Sequence, residues 1–228
     1  MTASNPTATS KMAIGHLLCA RALRDFGDGF VAVLLPVYLL ALGLGPVQVG
    51  MVATAALLGS ALLTLAIGFL GAGQDHRRLL LAAAGLMVAT GVAFALVDEY
   101  AVLMVVAFAG TANPSAGSVS IFVPLEHAVL AHEAASEQRT RIFARYSLVG
   151  ALAGAAGSLA AAAPELMAPL GLSELDALRM MFVLYAALGL IGGLFYGRIP
   201  KQPRASDQRA HAALGPSRHT VYKLAALF

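Results

Sequence analysis

Long apolar runs separated by short polar connections set the pattern of this chain. No charged side chain occurs from Gly29 to Gln74, a stretch of 46 residues. About 20 apolar residues allow a helix to cross the hydrocarbon core of a bilayer, and a Gly-Pro turn signal divides the stretch into two such segments. Comparable runs follow it. The pattern therefore predicts six spans, at residues 26–42, 47–70, 79–97, 101–125, 146–163 and 180–197.

The predicted spans are helices, because an open sheet leaves backbone groups unpaired in lipid. We expect an all-α membrane protein in which residues 1–16 form a cytoplasmic tail and residues 17–197 form a six-helix bundle. A basic, proline-containing linker follows at 198–220. Residues 221–228 begin a seventh apolar segment that is too short to span. We therefore expect the first half of a longer protein, or a truncated product.

The composition decides which solvent these helices face. Hydrophobic residues make up 59% of the 228 and charged residues 12%, whereas an average soluble domain carries about 25% charged residues. The mean hydropathy is +0.78. The single cysteine, Cys19, excludes an internal disulfide framework. We expect the lipid bilayer as a partner, with no nucleic acid, no cofactor and no metal.

The distribution of basic residues predicts the orientation in the membrane. Fourteen of the 15 Lys and Arg residues fall on the side that holds the N-terminus, and Arg179 alone falls on the other. Lys and Arg collect in cytoplasmic loops of membrane proteins. The sequence therefore predicts a multi-pass protein of a plasma membrane, of the bacterial inner-membrane type, with both termini in the cytoplasm.

Four charged residues precede the first apolar run: Arg21, Arg24, Asp25 and Asp28. On a helix, Arg21 with Asp25 and Arg24 with Asp28 are i,i+4 pairs. One interpretation is a cluster of ion pairs at the rim of the bundle that anchors the first helix. The other assigns Asp28, which is flanked by two glycines, to binding of a cation or proton within the membrane.

The fourth predicted span contains a dense set of small polar residues, TANPSAGSVS. Pro114 removes a helical hydrogen bond and frees a carbonyl group. The segment is either a kinked helix packed through small residues, or a break where Asn113 and Ser118 contact a substrate.

Glu126, followed by a histidine, lies at the predicted cytoplasmic end of this span. Histidine titrates near neutral pH, so an acid and an imidazole could relay protons here. The alternative is an interfacial pair bound to the arginines at 139, 141 and 145. Both interpretations make Glu126 a candidate for ion binding.

Glycines recur at helical spacing in the last two spans. They are Gly150, Gly154 and Gly157 in the fifth and Gly189 and Gly193 in the sixth. Small residues at this spacing let helix backbones approach closely in membranes. We interpret both stripes as packing surfaces.

The layout and the turn between the second and third spans resemble the N-terminal half of a major facilitator superfamily transporter. The family's motif in that turn is roughly G-x-L-a-D-r-x-G-r-k, and the chain reads GFLGAGQDHRR. Ala72 stands at the acidic position, so Asp75 is the candidate substitute. The resemblance implies a gating-loop role for Gly68, Leu70, Asp75, Arg77 and Arg78.

The resemblance also implies a fold and a mechanism. Six helices would form a 3+3 inverted repeat, as half of a twelve-helix protein that works by alternating access. The transport path would need a C-terminal half or a second copy as its opposite wall. The polar side chains available inside are few and mostly neutral, which favours a neutral or amphipathic organic solute.

Secondary active transport is the leading functional hypothesis, with a proton as the candidate coupling ion. No phosphate-binding loop is present, and no span carries the Gly-x-Ser-x-Gly of an intramembrane serine protease. An enzyme is therefore not expected. The alternative is a polytopic membrane subunit or assembly factor that does not transport.

The orientation can be tested by chemical labelling of the turn near Arg77 in sealed cells. The turn is expected to react from the cytoplasmic side, because its basic residues resist translocation. Labelling of this turn from the outer surface contradicts the predicted topology.

Overall fold

The computed structural model describes residues 6–70, 74–112, 120–133, 138–167, 169 and 171–200. In that part of the chain the regular secondary structure is entirely helical. The helices are α1 (Pro6–Ala41), α2 (Pro46–Leu70), α3 (His76–Leu96), α4 (Tyr100–Ala109), α5 (Phe122–Glu133), α6 (Arg139–Ala160), α7 (Ala163–Met167) and α8 (Glu174–Gly197).

Four of these helices are long and apolar enough to cross a membrane, namely α2, α3, α6 and α8. They correspond to the second, third, fifth and sixth predicted spans. The first predicted span lies within α1, whose N-terminal half carries charged residues. The fourth corresponds to α4 and α5, which are shorter apolar helices.

The first helix is longer than the predicted span, since α1 begins at Pro6 and includes most of the expected cytoplasmic tail. It ends near the predicted turn. Gly43 there has a φ of +84°, a left-handed conformation that glycine adopts without strain. Pro46 then starts α2, where its fixed φ suits the first helical position and its missing N–H costs no hydrogen bond.

The fourth predicted span is not one continuous helix. Its first part, α4, ends at Gly110, whose N–H donates to the carbonyl of Val106 at 2.8 Å. Helix α5 begins at Phe122 and continues to Glu133, so it extends into the connection between the fourth and fifth predicted spans. The candidates Asn113 and Ser118 lie outside the described residues.

The most extensive helix contacts are those of α1 with α6 and of α3 with α8, followed by α1 with α8 and α2 with α4. An aromatic group fills the space between α1, α3 and α8. The rings of Tyr38 and Phe182 are 4.9 Å apart, and those of Phe94 and Phe182 are 5.2 Å apart. Many large apolar side chains of α2, α6 and α8 point outward, as expected for helices surrounded by lipid.

Glycines allow α1 and α6 to meet backbone to backbone. A Cβ at Gly157 would lie 2.8 Å from the carbonyl carbon of Phe26, and one at Gly29 would lie 3.0 Å from that of Gly154. At Gly150 a side chain would enter the space of Arg21 and Asp25. In α8 the corresponding contacts are looser, since Cβ atoms at Gly189 and Gly193 would meet side-chain atoms at 3.0 Å and 3.4 Å.

Replacement of Gly157 by alanine should destabilise the protein by about 1–3 kcal/mol, because the methyl group would overlap the backbone of α1. Thermal unfolding in detergent measures the effect. Gly85→Ala is the matched control, since a Cβ at Gly85 meets nothing within 4 Å. Equal melting temperatures for the two variants would contradict the close approach of α1 and α6.

Candidate functional site

Five ionisable side chains meet inside the helix bundle, and we call them the charged cluster. Arg21, Arg24, Asp25 and Asp28 come from α1, and Glu126 comes from α5. Arg24, Asp25 and Asp28 are 3%, 4% and 3% exposed, and Glu126 is 0% exposed. Buried charges are costly unless they are paired and hydrogen-bonded, so the partners of each group decide what the cluster can do.

Arg24 is the central cation of the cluster. Its Nη1 donates to Oε2 of Glu126 at 3.1 Å, and its Nη2 donates to Oδ1 of Asp25 at 2.7 Å. Its Nε lies 3.8 Å from Oδ2 of Asp28. The guanidinium also stacks over the ring of Phe122, 4.8 Å from the ring centroid. The planar, multi-donor geometry of arginine suits such a shared position.

Glu126 receives hydrogen bonds from three helices besides its own. Arg24 reaches it from α1, Tyr146 donates its hydroxyl from α6, and Tyr196 donates its hydroxyl from α8. Both tyrosines are almost fully buried. These three donors join α1, α5, α6 and α8 at one buried carboxylate.

Arg21 is the second cation of the charged cluster and lies on its more exposed side. Its Nε lies 2.6 Å from Oδ2 of Asp25, and its Nη1 donates to the hydroxyl of Tyr146 at 2.9 Å. The guanidinium also lies 4.5 Å from the centroid of the Tyr146 ring. Asp25 is thus shared between two arginines.

Asp28 has fewer charged partners than the other two carboxylates. The hydroxyl of Tyr185 donates to its Oδ1 at 3.1 Å, and its closest cation, Arg24, is 3.8 Å away. The Tyr185 hydroxyl in turn lies 3.0 Å from Oγ1 of Thr111. The backbone N–H of Thr111 donates to Oγ1 of Thr90 at 3.2 Å.

The charged cluster carries more negative than positive groups. Two arginines face three carboxylates, which gives a formal balance of −1 if all five are ionised. An unbalanced charge in a buried site is unfavourable unless a proton or cation compensates it. Of the three carboxylates in the cluster, Asp28 lies farthest from an arginine nitrogen.

The structure differs from the sequence interpretation in where this group lies. The sequence suggested a rim, whereas the side chains are buried because α1 starts far before Arg21 and α5 covers them. For Glu126 the sequence suggested the arginines at 139, 141 and 145 as partners. The carboxylate is instead held by Arg24 and two tyrosines, and Arg141 and Arg145 are exposed.

Tyr146, Tyr185, Tyr196 and Thr111 were missed by the sequence analysis. A tyrosine within an apolar helix is a usable signal, because its buried hydroxyl needs a hydrogen-bond partner. The sequence does not reveal which partner it finds, since each of these contacts joins residues at least 20 positions apart.

The residues of the predicted gating-loop motif lie apart from the charged cluster. Asp75 caps the N-terminus of α3 by accepting from the N–H of Arg77 at 3.0 Å. The exposed side chain of Arg78 lies 3.9 Å from the Asp75 carboxylate. Gly68 has open space around it, and Leu70 ends α2.

Neighbouring groups add little further chemistry. The ring of His127 packs against those of Phe143 and Tyr146. In the part of the chain that the structure covers, no three His, Cys, Asp or Glu residues are grouped to hold a metal.

The opposite end of the bundle carries a separate ion pair and a cavity. Arg179 of α8 binds both carboxylate oxygens of Asp98 at 2.7 and 2.6 Å, and this pair is partly exposed. The cavity of about 440 Å³ lies between α1, α7 and α8, with Leu34, Pro164 and Leu178 among its lining residues. No residue of the charged cluster lines it.

The chain belongs to the Major Facilitator Superfamily, because that family's model matches residues 17–226. It is therefore an integral, multi-pass membrane protein of a family of membrane transporters. The chain is also similar to the uncharacterized membrane protein YJR124C of Saccharomyces cerevisiae. The two are 30% identical over 98 residues, which are 42% of this chain and 22% of the yeast protein.

Replacement of Arg24 by methionine should cost about 3–5 kcal/mol of stability, because it removes the cation that three buried carboxylates share. Arg179→Met is the matched control. It removes a pair at the surface, where solvent screens the charges, so a much smaller loss of stability is expected. Denaturant unfolding in mild detergent compares the two variants. A loss at Arg24 no larger than that at Arg179 would show that the cluster is not a buried ionic core.

Proposed function

We propose that this protein is a secondary active transporter, or the N-terminal half of one, which moves a small organic solute by alternating access. The family match over residues 17–226 is the observation that carries the proposal. The sequence has no G-x-x-x-x-G-K-[ST] loop for nucleotide phosphates. An ion or solute gradient is therefore the energy source that fits it.

The helix contacts support a 3+3 inverted repeat of six spans. Exchange of spans one to three with spans four to six maps the pair α1–α6 onto α4–α2, and α1–α8 onto α4–α3. The pair α3–α8 maps onto itself. The close glycine contact recurs as well, since a Cβ at Gly59 of α2 would meet the backbone of Phe108 in α4. Such repeats are common in transporter folds.

In this proposal the six helices line one side of a transport path. The opposite wall comes from a C-terminal half, joined by the basic linker at 198–220, or from a second copy. Exposed apolar side chains on α1, such as Val33 and Val37, are consistent with a covering partner on that face. Both termini lie in the cytoplasm, and the membrane is of the bacterial inner-membrane type.

We assign the coupling proton to Asp28. Its carboxylate is buried and lies farther from a cation than the other two carboxylates of the cluster. Asp25 and Glu126 each lie within 3.1 Å of an arginine nitrogen, so both are engaged in close ion pairs. The proton on Asp28 would neutralise the formal excess of negative charge while solute is bound.

The solute class follows from the groups that remain available. Among the described residues, the cluster's arginines and the carboxylates of Asp25 and Glu126 are engaged with each other, and the other polar side chains within the spans are mostly neutral hydroxyl groups. Hydroxyl groups recognise polar parts of a neutral or amphipathic organic molecule. We expect that class before a strongly anionic one.

The experiment uses the full-length gene product in proteoliposomes that contain a pH-sensitive dye. Neutral and amphipathic organic solutes are added outside under an imposed pH gradient. At least one solute should cause proton flux and accumulate inside the vesicles. Asp28→Asn should abolish the solute-dependent proton flux, because the amide cannot take up a proton.

Asp98→Asn is the matched control and should retain that flux, since Asp98 lies at the other end of the bundle in an exposed pair. Proton flux that is equal in both variants would contradict the role of Asp28. No solute-dependent flux and no accumulation in the wild type would contradict transport itself.

A further inference from the structure

A chain of hydroxyl groups connects Asp28 with α8, α4 and α3. Tyr185 contacts Asp28 at 3.1 Å, Thr111 contacts Tyr185 at 3.0 Å, and the Thr111 N–H contacts Thr90 at 3.2 Å. We call Asp28, Tyr185, Thr111 and Thr90 the hydroxyl chain. Tyr185 and Thr90 are buried, so water competes little for these hydrogen bonds.

The ionised state of Asp28 fixes the direction of this chain. A carboxylate can only accept, so the single hydroxyl hydrogen of Tyr185 points to Asp28. The contact between Thr111 and Tyr185 must then have Thr111 as the donor. Thr90 donates its own hydroxyl hydrogen to the carbonyl of Leu86 at 2.7 Å, so its oxygen is free to accept from the Thr111 N–H.

Protonation of Asp28 removes the reason for that direction. A neutral carboxyl group can donate to the Tyr185 oxygen, and Tyr185 can then donate to Oγ1 of Thr111. The Thr111 hydroxyl hydrogen must then turn to another acceptor near the end of α4. No proton leaves the chain in this step, since two hydroxyl hydrogens only change direction.

We propose that Tyr185 and Thr111 are positioning residues that transmit the ionisation state of Asp28 to the C-terminal end of α4. The inference rests on the proposed protonation of Asp28. The hydroxyl groups of these two residues contact each other, and that of Tyr185 also contacts Asp28. These contacts do not involve Glu126.

The C-terminal end of α4 is positioned to respond to a change in the direction of the Thr111 hydroxyl. Gly110 lets it approach α3 so closely that a Cβ there would lie 2.5 Å from Oγ1 of Thr90 and 2.8 Å from its methyl carbon. Thr111, the next residue, contacts both Thr90 and Tyr185. A change in its hydroxyl direction would alter the contact between the end of α4 and Tyr185 of α8.

The other groups that face Asp28 are few. Arg24, Asp25 and Arg21 lie on its own helix, Tyr185 faces it from α8, and Glu126 is connected to it through Arg24. The described parts of α3 and α6 next to the flanking glycines present Met87, backbone atoms and the hydroxyl of Ser158, which donates to the carbonyl of Gly29 at 3.3 Å. Tyr185 is thus the route by which a hydrogen bond can leave Asp28 toward α4.

Infrared difference spectroscopy of the intact protein in lipid tests this proposal without any solute. Spectra recorded at acidic and basic pH should contain a protonated-carboxyl stretching band that Asp28→Asn removes. Tyr185→Phe and Thr111→Val should each shift this band, because hydrogen bonds in a chain polarise one another. In the Tyr185→Phe background, Thr111→Val should add no further shift, since the chain is already broken.

Tyr100→Phe and Thr54→Val are the matched controls and should leave the band in place. The Tyr100 hydroxyl is exposed beside Met51, and the Thr54 hydroxyl donates to Gly50 of its own helix. A band that Thr111→Val does not shift, or shifts equally in both backgrounds, overturns the proposal, as does the lack of any band sensitive to Asp28→Asn. Failure of transport with these shifts intact would instead count against the proposed function.

Discussion

The buried contact between Arg24 and Glu126 is the interaction on which the arrangement of α1, α5, α6 and α8 depends. Removal of a guanidinium and a carboxylate from water is costly, and only close contact with further hydrogen bonds offsets that cost. Arg24 therefore requires Asp25 beside it, and Glu126 requires the hydroxyls of Tyr146 and Tyr196. These requirements fix α1, α5, α6 and α8 relative to one another at a single point.

The same helix, α1, is held by a different kind of contact farther along. Lipid tails are as apolar as the side chains, so helices in a membrane gain little from hydrophobic burial against each other. Close backbone packing and internal polar contacts replace it. Glycines supply the first at the α1–α6 interface, and the charged cluster supplies the second within the same few turns. Together they make α1 the helix around which the others are arranged.

The two carboxylates at the ends of the cluster occupy different environments, and the functional argument follows from that difference. Glu126 accepts from an arginine and two tyrosines, whereas Asp28 accepts from one tyrosine and lies 3.8 Å from its nearest arginine. The many donors on Glu126 hold helices together. Asp28 has few donors, and a chain of hydroxyls leads from it toward the end of α4.

The sequence by itself determined the solvent, the helical class, the turn at residues 42–46 and the family, because these depend on local composition and short motifs. It also identified the i,i+4 charges of α1 and the glycine stripe of α6, since both follow from helical periodicity. It did not locate Tyr146, Tyr185, Tyr196 or Thr111 in the site, and it left open whether the charges lie at a rim or, for Asp28, within the membrane. Those features depend on which helices are neighbours and how far each extends. Only the tertiary structure decides that, because a hydroxyl group finds its partner across helices that are distant in the chain.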